Sequence, residues 1–149
     1  MTDKVDIGNL ATWVLSTYKP GMGVEELRDG NLETFWQSDG PLPHYLTLRF
    51  PTLAFISHIS LFLDFKNDES YTPSRFAVFA GYTAGDLEEV RAVEVDEPCG
   101  WVEVDVRVEG REGERRPLRA HMLQLAVLAN HANGKDAHVR LVRVFGPRR

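Results

Sequence analysis

The sequence predicts an all-β fold, an antiparallel sandwich, from three observations: apolar residues recur with a period of two, seven or eight such short runs are separated by turn residues, and helix-period stretches are scarce. Residues 44–50 place Leu46, Leu48 and Phe50 on one face, and Ile59, Leu61 and Leu63 repeat the pattern after a break centred on Pro51. Residues 75–82 set Phe76, Val78 and Ala80 opposite Ala77, Phe79 and Gly81, so both faces are apolar and a central place in a sheet is expected. A run at 90–95 follows. Residues 101–108 alternate Val102, Val104, Val106 and Val108 with charged positions, the cleanest strand signal in the chain. Residues 122–128 are apolar on both faces apart from Gln124, and 139–145 close the pattern before Gly146-Pro147. The one helical expectation is a turn or two at 24–28, preceded by Gly21 and Gly23 as loop punctuation. Residues 110–117, charged and broken by glycine, read as a hairpin tip.

The chain has 149 residues, one domain's worth and enough to bury a core without staples. Cys99 is the only cysteine, which excludes an intrachain disulfide and a cysteine-built zinc site and suits a reducing compartment. It lies between Pro98 and Gly100, in an expected turn. No apolar run approaches the roughly 20 residues of a membrane helix. The start, Met1-Thr2-Asp3-Lys4-Val5-Asp6, has no signal-peptide character. A soluble intracellular protein is expected, with no membrane partner. Seventeen basic against 22 acidic residues give a net charge of −5, which argues against a nucleic-acid partner. Arg140, Arg143, Arg148 and Arg149 gather near the C-terminus and read as a solvated basic edge.

Two polar segments stand between strand-like runs: Asp68-Glu69-Ser70-Tyr71-Thr72-Pro73-Ser74 and Asn130-His131-Ala132-Asn133-Gly134-Lys135-Asp136-Ala137-His138. The second has far more hydrogen-bonding capacity than a turn needs, and loops on a stiff sheet are where recognition usually sits. A third stretch, 28–40, mixes Asp29, Gly30, Asn31 and Glu33 with Phe35 and Trp36. It reads as a structural corner plugged by aromatics rather than a calcium site, because its oxygens are fewer than an EF-hand supplies. His131 and His138 match no familiar ligand spacing, so no metal and no cofactor are expected. There is no Gly-x-Ser-x-Gly elbow and no phosphate-cradling glycine loop; a hidden arrangement of Ser70, His138 and Asp136 is the remaining hydrolase candidate.

Five blocks in order carry a resemblance: 19–24, 27–40, 68–74, 97–101 and 125–140. Together they resemble the Doc domain family, most closely its member in the anaphase-promoting complex, the multi-subunit ubiquitin ligase of mitosis. The resemblance runs from Trp13 to Phe145 and implies a single Doc domain over 1–149, with a core of about 13–145. It implies an antiparallel jelly-roll β-sandwich, galactose-binding-domain-like, with a short N-terminal helical turn. It also implies a non-catalytic subunit of the nucleus and cytoplasm. Its partners would be the other subunits, a propeller-type coactivator and substrates carrying a destruction box, an Arg-x-x-Leu degron. The matching degron-facing positions are Ser70, Asn130, His131, Asn133, Gly134, Lys135, Asp136 and His138.

Residue chemistry then suggests roles. Asn133 and Ser70 could donate to and accept from an extended backbone, and Gly134 could let that backbone approach closely. Asp136 and His138 could orient one another or grip a polar degron residue, or Asp136 could brace its own loop. Family members commonly extend into a tail ending in a hydrophobic-Arg pair that docks on a helical-repeat subunit, whereas this sequence stops at Phe145-Gly146-Pro147-Arg148-Arg149. That ending also suits a compact form, a trimmed piece or a Doc module of another ubiquitin ligase. A carbohydrate-binding module is the alternative on architecture alone.

Overall fold

A computed structural model describes residues 4–148; Met1, Thr2, Asp3 and Arg149, the last a member of the expected basic edge, lie outside the described residues. In chain order the elements are β1 Lys4–Asp6, β2 Thr12–Leu15, α1 Val24–Arg28, β3 Trp36–Gln37, β4 His44–Ile56, β5 His58–Asp64, α2 Phe65–Asp68, β6 Pro73–Gly81, β7 Glu88–Glu94, β8 Cys99–Asp105, β9 Val108–Glu109, β10 Arg115–Arg116, β11 Leu118–Asn130, β12 His138–Val139 and β13 Leu141–Pro147. One sheet runs β2-β4-β11-β6-β7 and the facing sheet β1-β13-β5-β8, all pairs antiparallel. Two-stranded pairs β3-β12 and β9-β10 close the ends.

The alternating residues set the register. Leu123 and Leu125 of β11 oppose Leu48 and Leu46 of β4, and Ala80 and Val78 of β6 on the other side. These meet Ile59, Leu61, Leu63, Val142, Val144 and Val104 from the facing sheet in one buried cluster. Each fully buried aliphatic side chain contributes about 1.5–3 kcal/mol, so a one-residue slip would expose most of this stabilisation to water. Trp36 is 0 % exposed and plugs one end, its indole N–H donating to the Thr17 carbonyl at 2.9 Å. The helical turn sits where expected: Leu27 is buried, and the Gly23 N–H donates to the Glu26 carboxylate at 2.7 Å.

Several expectations shift. Pro51 does not end a strand; β4 runs through it to Ile56, and the break falls at Ser57. The missing Pro51 N–H is absorbed by a bulge, since the four residues between Arg49 and Ala54 face only His121, between Met122 and Ala120, with Pro51, Thr52 and Leu53 exposed. The valine run ends early: β8 stops at Asp105, whose carboxylate accepts from the Arg107 N–H at 2.9 Å and turns the chain, leaving Val108 exposed in β9. Cys99 opens β8 instead of sitting in the turn, which falls at Glu97 with its φ of 49°. The last strand is split at Arg140 into β12 and β13. The strand total exceeds seven or eight because β1, β2 and β3 are short pieces with little room for a period to show. The 110–117 stretch is the expected hairpin tip, between β9 and β10.

By strand direction, residues 28–43, 64–72, 95–98 and 130–140 share one end of the sandwich. The connections at 57, 82–86 and 106–117 share the other.

Candidate functional site

Both polar segments reach the first end, where a buried ion pair holds them. The single turn of α2 places Asp68 beneath the surface with 2 % of its side chain exposed. Its carboxylate accepts from Arg140 Nη2 at 2.6 Å, Arg140 Nε at 3.1 Å and His138 Nδ1 at 3.0 Å. Burial pushes the Asp68 carboxyl up, but the hydrogen bonds from His138 and Arg140 outweigh it and hold the group below the usual carboxylate range. The same bond holds the Arg140 guanidinium above its ordinary value. Arg140 is therefore no part of a solvated basic edge; only 9 % of its side chain is exposed. Arg143 is exposed, lying 4.9 Å over the Trp101 ring, and Arg148 is exposed too.

Around this pair the aromatics stack. The His138 ring lies between Phe35 at 4.1 Å and Tyr71 at 4.2 Å, and the Arg140 guanidinium lies 4.9 Å over Phe35. His138 is thus oriented by Asp68, not by Asp136, and its Nε2 is buried without a partner. Asp136 accepts from the Gly40 N–H at 3.0 Å, bracing the neighbouring 38–40 loop rather than its own. Ser70, His138 and Asp136 therefore form no nucleophile relay.

The second segment is built on a frame of short bonds. Asn130 is buried, and its amide donates to the Gly134 carbonyl at 3.1 Å and the Asp136 carbonyl at 3.0 Å. His44 Nε2 donates to the Lys135 carbonyl at 2.5 Å, and Ser38 Oγ accepts from the Ala137 N–H at 2.8 Å. His131 ties three loops: its Nδ1 and its own N–H both donate to the Thr72 carbonyl at 2.9 Å, while Nε2 accepts from the Glu97 N–H at 3.0 Å. That pattern fixes a neutral Nδ1–H imidazole. Gly134 does make a close approach possible, but to this chain's own backbone: a Cβ there would stand 2.0 Å from the Ser70 carbonyl oxygen. Ala132 and Asn133, with φ of 51° and 57°, turn the tip outward.

What remains open to solvent is Ala132, Asn133 and Lys135, with Ser70 and Asp136 half-buried beside them. The structure thus gathers all eight sequence-selected residues at one end, yet divides them into a supporting frame (buried Asn130 and His138, half-buried His131) and a presented tip. Among the contributors that escaped sequence reasoning as site residues are Asp68, Arg140 and Phe35, with Tyr71, His44 and Ser38 beside them. The signal for the first was an Asp just inside a short helical turn before a polar loop. The corner at 28–40 is structural, as expected: Asp29 Oδ1 accepts from the Asn31 N–H and Oδ2 from the Thr34 hydroxyl, and Asn31 Oδ1 from the Glu33 N–H. Among the described residues no group of three His, Cys, Asp or Glu is placed to hold a metal ion. Likewise, no described helix is long and apolar enough to cross a membrane.

Comparison with known proteins agrees with the fold. The family model described as "Anaphase-promoting complex, subunit 10" matches residues 1–149. The chain is similar to anaphase-promoting complex subunit 10 of Schizosaccharomyces pombe, 46% identical over 143 residues, covering 96% of this chain and 74% of that protein. It is similar to the Homo sapiens protein of the same description, 44% identical over 142 residues, covering 95% and 75%. Among solved structures it is similar to the family 32 CBM from C. perfringens NanJ in complex with galactose, with a TM-score of 0.75 at 14% identity, covering 95% of this chain and 98% of that one. It is also similar to the CBM32 of AlyQ in complex with 4,5-unsaturated mannuronic acid, with a TM-score of 0.68 at 17% identity, covering 90% and 93%. At such identities these likenesses carry the fold, an antiparallel jelly-roll β-sandwich, and nothing about ligands.

Proposed function

The chain belongs to the anaphase-promoting complex subunit 10 family, and on that premise we propose that it is a non-catalytic substrate-recognition subunit of this ubiquitin ligase. It holds the destruction box together with a propeller-type coactivator and makes ubiquitination of a bound substrate more processive. It works as a single Doc domain beside the other subunits, in nucleus and cytoplasm.

One observation carries this reading: the 130–138 segment is braced from within, by Asn130, His44 and Ser38, while Asn133 and Lys135 stay exposed. A loop that needed its polar side chains for its own folding would turn them inward. Here the Asn130 amide, His44 and Ser38 hold the backbone from within and the tip is exposed, so its donors and acceptors are pre-positioned for an extended peptide. Ser70, Asn133, Gly134, Lys135 and Asp136 form the degron-facing surface, with Asn130, His131 and His138 as its supports. The absence of catalysis fits the same bonds, because both ring nitrogens of His131 are engaged in them and Asp68 is neutralised by Arg140.

Hydrogen bonds of this kind contribute about 0.5–1.5 kcal/mol each, so the surface alone binds weakly. A second attachment through the coactivator acts at an effective concentration in roughly the mM range, which lengthens residence without chemistry by this subunit. The test is a double variant, Asn133→Gly with Lys135→Ala; glycine suits the φ of 57° that Asn133 adopts. We expect an unchanged unfolding midpoint, normal incorporation into the complex and fewer ubiquitins added per binding encounter. Unchanged processivity in a folded, incorporated variant would contradict the proposal.

A further inference from the structure

Sheet edges expose backbone donors and acceptors, and proteins blunt them with bulges, prolines or covering loops. The edges formed by β7 and β8 differ in this respect. β7 is bulged, its register against β6 shifting between Val78 and Phe79. β8 keeps one register with β5 over all seven residues, contains no proline, and among the described residues has no strand on its other side. The Val106 N–H donates to the Ser57 carbonyl at 3.0 Å, and the Phe65 N–H to the Pro98 carbonyl at 2.9 Å. Bonded and non-bonded pairs alternate in an antiparallel ladder, so between these two bonds Gly100, Val102 and Val104 are the residues bonded to β5. Cys99, Trp101, Glu103 and Asp105 therefore turn their N–H and carbonyl groups to the open side. Among the described residues the Asp105 carbonyl is the one of these groups with a partner there, Arg91 Nε at 2.9 Å.

The side chains along this edge suit a strand laid against it. Trp101 is 44 % exposed, although Phe62 meets its ring edge-on at 5.4 Å and the Arg143 guanidinium lies 4.9 Å over it. Val93, Val95 and Val102 pack against the core yet stay half-buried, so the gap between β7 and β8 leaves apolar surface in reach of water. Charge narrows the choice of occupant. Residues 88–105 hold seven Asp or Glu, six of them exposed, against the single Arg91. A second copy of the chain would bring the same acidic edge against itself, and like charges across a strand pair are destabilising. A nucleic-acid backbone is repelled for the same reason.

We propose that the open edge of β8 receives an extended basic segment of a partner protein, which adds a fifth strand to the β1-β13-β5-β8 sheet. Backbone bonds to Cys99, Trp101 and Glu103 hold the segment. Its side chains alternate between the Trp101 face and the half-buried valines, and its Lys or Arg residues answer the acidic flank. This surface is separate from the degron-facing tip, and the two readings stand or fall independently.

The test titrates the labelled full chain with a short peptide of alternating Lys and Val, against a Glu-Val peptide of the same length, and follows amide NMR shifts. Two variants separate backbone pairing from charge. Glu103→Thr removes the carboxylate alone, whereas Glu103→Pro also removes an N–H that faces the open side and leaves the β5 ladder whole. The Lys-Val peptide should shift Cys99, Trp101 and Glu103 selectively, and the Glu-Val peptide should not. Affinity should fall by less than about threefold in Glu103→Thr and by about tenfold or more in Glu103→Pro. Equal losses in the two variants, or equal binding of the two peptides, would overturn the added strand. So would a dimer of the unliganded chain that Glu103→Pro abolishes, because the edge would then belong to a second copy. Should proline lower the unfolding midpoint, the wild-type shifts decide alone: an absence of selective shifts at 99–103 overturns the proposal.

Discussion

The two ends of the sandwich use the same chemistry at different depths. At the end that carries the two polar segments Asp68 and Arg140 pair with 2 % and 9 % of their side chains exposed. At the far end Asp105 pairs with Arg107 at 2.8 Å and with Arg115 at 3.5 Å, its side chain 33 % exposed, beside a groove of about 610 Å³ lined by Tyr82, Arg91 and Leu118 among others. Both carboxyls are held below their ordinary range, Asp105 by the Arg107 hydrogen bonds despite partial burial. The contrast teaches where rigidity is placed. A buried pair whose loss strands a charge fixes the loops above it, whereas an exposed pair closes a turn and tolerates exchange.

The largest effect expected is from Asp68→Ala. It leaves Arg140 buried without its carboxylate and should cost about 3–5 kcal/mol in denaturant unfolding. A loss comparable with an exposed pair would erase the distinction between the ends. Gly134→Ala comes next, because its Cβ would strike the Ser70 carbonyl, a backbone atom. A loss of about 1–3 kcal/mol with weaker substrate binding is expected, read by thermal unfolding and peptide affinity.

Acid sharpens the comparison. Asp68 has a folded-state pKa below its unfolded value, so its pairing stabilises the protein fully above the unfolded value of about 3.9 and is lost as pH falls from there through the folded one. The stability gap between wild type and Asp68→Asn should hold steady above about pH 5 and narrow below about pH 4. A gap that widened on acidification would refute the assignment. Asp105 has the same sign, yet its contribution should shrink in 0.5 M salt while that of Asp68 persists. The smallest effect is Asp105→Asn itself, within about 1 kcal/mol at neutral pH.

How much of this was legible in the sequence follows from the range over which each feature is encoded. Period-two runs such as 44–50 and 59–63 announce their strands because the pattern is local. The two polar segments, which the fold brings to one end of the sandwich, stand out in the sequence for the same reason. The bulge at Pro51 and the stop at Asp105 were hidden because a proline looks like a terminator and a valine run looks like one strand; the partner strand and the Arg107 side chain decide otherwise. The Asp68–Arg140 pair spans 72 residues, and no local pattern tells a buried guanidinium from a solvated one. His138 was legible as a site residue but not as a support, since its stacking on Phe35 and Tyr71 arises only when three loops meet.

The measurement that tests the central claim most directly is an amide NMR titration of the labelled chain with a destruction-box peptide and a scrambled control, with and without coactivator. The account predicts selective shifts at Ser70, Asn133 and Lys135 with the true peptide, larger when coactivator is present, and none at Asp105 or Arg115. Equal responses to both peptides, or shifts confined to the far end, would contradict it.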